Sequence, residues 1–172
     1  MTIAIFANPL RSETLRELKR VLEYMQQRDV KVVLSNELHQ EPFGRDYASV
    51  DEYTENSDER IDFAISIGGD GTFLTTASLI GHLDVPILGI NCGHLGFLAE
   101  VQTTNTEEIL EQLINHQYTI EKRSMLEISC PAIDKILSPY ALNEVAVLKQ
   151  GLSSMISVDT YLNGEFLHTY KA

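Results

Sequence analysis

The sequence predicts an α/β fold, a parallel sheet crossed by helices, followed by the opening strands of a β-rich segment. Three observations predict it. Short apolar runs alternate with amphipathic helical periods through residues 1–117. Two of the buried runs lead straight into glycine-rich loops. From about residue 118 the helical period gives way to strand-length runs broken at Pro131, Pro139 and Gly151.

Taken in order, Ile3–Ala7 is an apolar run closed by the breaker Asn8-Pro9. Leu15, Leu18, Val21, Leu22 and Met25 then recur at helical spacing over Ser12–Gln27, with Ser12 as the expected N-cap. Val30–Leu34 is the next strand, so the chain opens β-α-β, the pattern of parallel strands joined by right-handed crossovers. The period is lost between Glu37 and Asp62. Residues 45–62 hold seven acids and two arginines, which reads as a solvated loop with a short helix, or as a partner-binding loop. Ile61–Ile67 is a buried strand, Phe73–Leu83 a helix and Val85–Ile90 another strand. Thr106–His116 places Ile109, Leu110, Leu113 and Ile114 on one helical face, capped by Thr104 or Asn105. Strands are expected at Tyr118–Ile120, Met125–Cys130, Tyr140–Leu148 and Met155–Tyr161. Asn163-Gly164 between alternating runs is a two-residue hairpin signal. Two domains are expected: α/β over 1–117 and a partial β-rich domain over 118–172.

The chain of 172 residues is 44% hydrophobic, which excludes disorder as its main state. No apolar run reaches the ~20 residues of a membrane span, and the start lacks the pattern of a secretory signal. The net charge of −12 disfavours nucleic acid and anionic membrane as partners, both being polyanions. A phosphate ligand must then be bound locally, by backbone amides, a few cations or a metal. Cys92 and Cys130 have no metal-ligand spacing and read as reduced thiols of a cytoplasmic protein.

The centre of the chemistry is Ser66-Ile67-Gly68-Gly69-Asp70-Gly71-Thr72, between a buried strand and a helix. Its glycines let a ligand approach the main chain, and the helix start offers unpaired N–H groups and a positive dipole end. Asp70 is out of place beside phosphate unless it orients a hydroxyl or a cation intervenes. A tight turn with Asp70 or Thr72 as helix cap is the plainer alternative. Neither a GxGxxG fingerprint nor a P-loop is present. Gly89-Ile90-Asn91-Cys92-Gly93-His94-Leu95-Gly96-Phe97 is a second such loop, with Phe97 as a stacking ring or a core residue and His94 as a brace or a catalyst. Asn143 and Glu144 interrupt an apolar stretch. They fit a ribose diol or adenine edge, or else a solvated strand end.

These motifs together resemble the NAD kinases: Gly68–Leu74 (GGDGTFL), Gly89–Glu100 (GINCGHLGFLAE) and Ala141–Val147 (ALNEVAV) stand in the family's order and spacing. The resemblance covers essentially the whole chain, and LSPYALNEVAVLK followed by SSMIS is similar to the Bacteroidetes-type enzymes. It implies a Rossmann-like N-terminal domain and the first strands of a β-sandwich-type domain. The implied reaction is phosphorylation of the adenosine-ribose 2′-hydroxyl of NAD by ATP, giving NADP. Asp70 matches the proton acceptor, and its loss is expected to lower kcat with little change in KM for NAD. Asp70, Gly71, Phe97, Asn143 and Glu144 match NAD-site positions, with Ser154 and Lys171 as further contacts. Mg²⁺ or another divalent cation would ride on the ATP phosphates, with no protein residue named as its ligand. A cytoplasmic homo-oligomer is implied.

The family continues beyond the position of Ala172 with an Asp-Gly step and a Gly/Ser/Thr-rich loop. Residues 1–172 are therefore expected to be its N-terminal part, and alone to self-associate through 118–172 and form no NADP. The alternatives are a non-catalytic NAD-binding fragment, or another GGDGT-type kinase acting on a lipid or sugar. The acidic surface counts against a lipid, and the Asn143-Glu144 pair against a sugar.

Overall fold

The computed structural model describes residues 1–51, 53, 60–93, 96–99, 101–131, 138–148 and 155–171. Its centre is a parallel sheet of six strands, in the order β3-β2-β1-β4-β5-β6. These are β1 (Thr2–Ala7), β2 (Lys31–Leu34), β3 (Ala48–Ser49), β4 (Phe63–Gly68), β5 (Ile87–Asn91) and β6 (Val101–Gln102). β1 and β4 are buried along their whole length, as strands covered on both faces must be. Their side chains alternate between two cores. Ile3, Ile5, Ile65 and Ile67 face α1 (Ser12–Gln26) and α4 (Thr106–Ile114). Ala4, Phe6 and Ala64 face the opposite side, with Ile80 of α3 (Asp70–Ile80). Each fully buried Ile or Leu contributes roughly 1.5–3 kcal/mol by leaving water.

Polar contacts tie α1 to α4. Arg20 Nε donates to Glu107 at 2.9 Å, and Arg28 Nε to Glu111 at 2.8 Å. The Tyr24 hydroxyl also donates to Glu111, and the Arg28 guanidinium lies 3.6 Å from the Tyr24 ring centre. Burial, followed by that carboxylate contact, pushes the Tyr24 phenol up to about 12.

Several boundaries differ from the sequence expectation for local reasons. Arg11, not Ser12, is the N-cap of α1 and makes no side-chain cap bond. The entry is shaped instead by Asn8, whose Oδ1 accepts from the Leu10 amide at 2.9 Å in an Asx turn. The acidic stretch contains β3, a strand too short to show alternation, paired in register with Val33 and Leu34 of β2. It follows α2 (Asn36–Gln40), capped by Ser35. Residues 118–120 form no strand, and only β7 (Leu126–Glu127) and β8 (Tyr140–Ala141) pair, antiparallel, within the two longer runs expected there. The hairpin is as expected: β9 (Ser157–Leu162) and β10 (Glu165–Lys171) pair antiparallel around Asn163 and Gly164, both at positive φ (52° and 87°).

The segment after α4 meets the sheet and its helices at two places among the described residues: Tyr118 packs edge-on against Phe63 of β4, with ring centres 4.9 Å apart, and residues 138–140 join α3. Ser78 Oγ of α3 donates to the Tyr140 carbonyl, and Ser138 Oγ donates to the Ser78 carbonyl, both at 2.5 Å. Gly81 makes room for this contact: a Cβ there would lie 2.9 Å from Met125 Cε. The stretch carrying Asn143 and Glu144 thus departs from beside α3.

Two expectations follow. Ile65→Ala removes a fully buried side chain from the central strand and should lower unfolding free energy by about 2–5 kcal/mol, read by denaturant titration. Cys92 is half-buried, and burial, with Glu17 nearby, raises its thiol to about 11, whereas Cys130 is exposed. A thiol reagent near neutral pH should modify Cys92 at least about tenfold more slowly than Cys130, with both reacting after unfolding without reductant.

Candidate active site

In the sheet order, β1 leads outward through β2 to β3, and β4 leads the other way through β5 to β6. Between β1 and β4 the direction of winding reverses. The helices that follow these two strands, α1 and α3, depart to opposite faces and leave a crevice at the strands' carboxyl ends. A cleft of about 1020 Å³ opens there, lined by Asn8 and Arg11 after β1, Ser35 and Glu37 after β2, and Gly69, Gly71 and Thr72 at the start of α3. The sequence marks Asn8-Pro9 only as a breaker after an apolar run. The usable signal for Asn8 and Arg11 was their place just after a buried strand.

The turn from β4 into α3 is set by its glycines. At Gly68 a Cβ would collide with the Thr72 side chain. At Gly69 and Gly71 a Cβ would meet nothing within 4 Å, so packing does not demand these glycines and the backbone there is open to a ligand. Gly69 is the N-cap and no side chain caps the helix, so neither Asp70 nor Thr72 acts as the cap that the plainer reading allowed. Among the described residues no side chain accepts from the first amides of α3, which are placed to meet an anion.

Asp70 turns toward the second loop. Its Oδ2 accepts from the Phe97 amide at 2.8 Å, and its Oδ1 accepts from Leu98 and Ala99 at 3.0 and 3.2 Å. The Phe97 and Leu98 amides hold the Asp70 carboxyl below the usual Asp value, so it stays ionised to lower pH than a free aspartate. Gly96 passes so close that a Cβ would overlap that carboxylate. The loop is closed a second time by Asn91, a residue the sequence reading did not single out. Its Oδ1 accepts from the Gly93 amide at 2.9 Å and its Nδ2 donates to the Ala99 carbonyl at 3.3 Å. Gly89 lets the loop return over β5, with Ala99 Cα and Phe73 Cδ2 within 3 Å of where its Cβ would be. Phe97 is carried on this loop 92% exposed, a free ring rather than a core residue.

The structure thus brings Asp70, Gly71 and Phe97 to one place. Asn143 and Glu144 are exposed just past β8, and neither makes a hydrogen bond or ion pair among the described residues. Lys171 ends β10, opposite Ser157, and is exposed. Among the described residues no hydrogen bond joins Asn143, Glu144 or Lys171 to Asp70 or Phe97. Ser154 and His94 lie outside the described residues. The described residues contain no cluster of three or more His, Cys, Asp or Glu able to hold a metal, and no helix long and apolar enough to cross a membrane.

Comparison with known proteins gives a consistent result. The chain is 40% identical, over its whole length, to an NAD kinase of Bacteroides fragilis, of which it covers 60%. Over 66% of its length it is 47% identical to an NAD kinase of Porphyromonas gingivalis, covering 39% of that protein. The chain spans about 60% of the length of the curated relatives it matches throughout. The crystal structure of yeast NADH kinase complexed with NADH shares its fold, with a TM-score of 0.64 over 98% of this chain and 54% of that one at 16% identity. Residues 3–118 match the ATP-NAD kinase N-terminal domain, and on that match the chain belongs to the NAD kinase family.

Proposed function

We propose that the protein carrying this chain transfers the terminal phosphoryl group of ATP to the 2′-hydroxyl of the adenosine ribose of NAD, giving NADP. The observation that supports this best is the position of Asp70. It opens the helix whose Gly69, Gly71 and Thr72 line the cleft, while its carboxylate lies on the side of the Phe97 loop. A donor phosphate chain in the cleft and an acceptor nucleotide beside Phe97 would then meet across the first turn of α3.

Donor binding rests on the uncapped amides of α3 and on Arg11. The same cleft carries Glu37, Glu41 and Asp51, which would repel a bare triphosphate. These carboxylates suit a donor whose charge is already offset by a divalent cation held mainly on its own phosphates. When bound, such a cation neutralises phosphate charge during transfer. A carboxylate has about four lone-pair positions. Three amides fill three of them, and the one left, on Oδ2, accepts the ribose hydroxyl. The lowered pKa makes Asp70 a weak base in the ground state, which suits a loose transition state in which the hydroxyl is oriented first and loses its proton late.

In this reading Phe97 stacks on a planar ring of the acceptor and Asn143 and Glu144 hold its ribose or adenine. Ser154 and Lys171 add outer contacts. The division into an α/β domain, 1–117, and a β-rich domain, 118–172, is part of the proposal, as is a cytoplasmic setting, which the two free thiols support.

NADP formation from NAD, ATP and Mg²⁺, followed with an NADP-specific dehydrogenase, tests the proposal. Absence of NADP, or equal transfer to a lipid or sugar, would sink it. Asp70→Asn is expected to lower kcat by at least ~10²-fold. Glu144→Gln should weaken NAD binding by about 1–3 kcal/mol and ATP binding by much less, measured by calorimetric titration of each ligand.

A further inference from the structure

We infer that Asp70 is also a positioning residue: its carboxylate holds Gly96–Ala99 in place, and so sets where the Phe97 ring meets the acceptor nucleotide. The assignment of an acceptor nucleotide to that ring rests on the NAD kinase reading above. The holding of the loop does not.

The two ends of the loop differ. Ala99 is 1% exposed and packed over Gly89, and its carbonyl accepts from Asn91. Packing secures that end. Residues 96–98 have no such cover: Phe97 is exposed and Gly96 and Leu98 are only partly buried. Among the described residues, the hydrogen-bond partner of the Phe97 and Leu98 amides is the Asp70 carboxylate. The anchor itself is rigid. Asp70 is the first residue of α3, and the preceding strand end is tied to β5, with the Cys92 amide donating to the Gly68 carbonyl at 3.0 Å. The fit is also specific to this pair of residues. Any side chain at position 96 would strike the carboxylate, so Gly96 and Asp70 are two halves of one contact.

Asparagine cannot replace this arrangement. Its amide has one acceptor oxygen, and its NH₂ would face a backbone N–H, donor against donor. The variant that removes the base therefore also loosens the Phe97 loop. This departs from a pure base, whose loss lowers kcat and leaves KM for NAD unchanged.

The test is amide hydrogen exchange at Phe97 and Leu98, with titration of NAD and ATP, on wild type, Asp70→Asn, Gly96→Ala and Phe97→Ala. Gly96→Ala keeps the carboxylate but obstructs the contact, and carries the test if Asp70→Asn does not fold. Exchange at 97 and 98 should accelerate at least about tenfold in Asp70→Asn and Gly96→Ala, with amides of β1 and β4 unchanged. NAD affinity should fall at least about fivefold in all three variants, with ATP affinity changing by less than about twofold. KM should split the same way, a pattern that general destabilisation does not produce. Unchanged exchange at 97 and 98 in a folded Asp70→Asn or Gly96→Ala protein overturns the inference. Accelerated exchange with NAD affinity intact overturns the link to the acceptor. Failure of the wild type to bind NAD overturns the kinase reading, while the exchange rates still decide whether Asp70 holds the loop.

Discussion

The carboxylate of Asp70, shared among three backbone amides, connects the parts on which the site depends. It joins the start of α3 to the loop after β5, two pieces 27–29 residues apart in the chain. A neutral side chain would hold neither end as well, because hydrogen bonds to an ionised acceptor are roughly twice as strong as neutral ones. The same charge would normally oppose an anion at a helix N-terminus. Here it is turned away from the cleft and satisfied by amides, so the helix start remains usable by phosphate on its other side.

The location of this contact follows from the sheet. Reversal of winding between β1 and β4 sends α1 and α3 to opposite faces, and the carboxyl ends of both strands are left open. Complete burial of these two strands makes the crevice rigid. The ion pairs between α1 and α4 lie on the far layer and are exposed enough to add little stability. They align the helices while apolar packing supplies most of the energy.

An acidic chain that binds polyphosphate must concentrate its attraction locally. In the proposed reading, Arg11 and the first turn of α3 would provide this, set against Glu37 and Glu41 in the same cleft. That opposition favours a ligand whose charge is already partly neutralised, as on a triphosphate carrying a divalent cation.

Periodicity and glycine placement in the chain were enough to read the opening β-α-β unit, the strand leading to Gly68 and the Asn163-Gly164 hairpin. Each is governed by local rules: alternate burial, helical spacing, and the positive φ that Asn-Gly accepts. The motif around Asp70 was legible as a ligand-approach turn for the same reason. Other features depended on partners distant in sequence. Nothing within residues 48–49 marks them as a strand; pairing with β2 does. Within 125–130 and 140–148, apolar runs of strand length pair over only two residues each, because pairing is decided by the neighbour that meets them: the two runs meet only at Leu126–Glu127 and Tyr140–Ala141, and Tyr140 is also held by Ser78 of α3. Asp70 shows the same division. Its own neighbours in sequence suggest a base beside phosphate, while the amides that fill most of its lone pairs come from a loop that only the folding of β5 against β4 brings within hydrogen-bond reach.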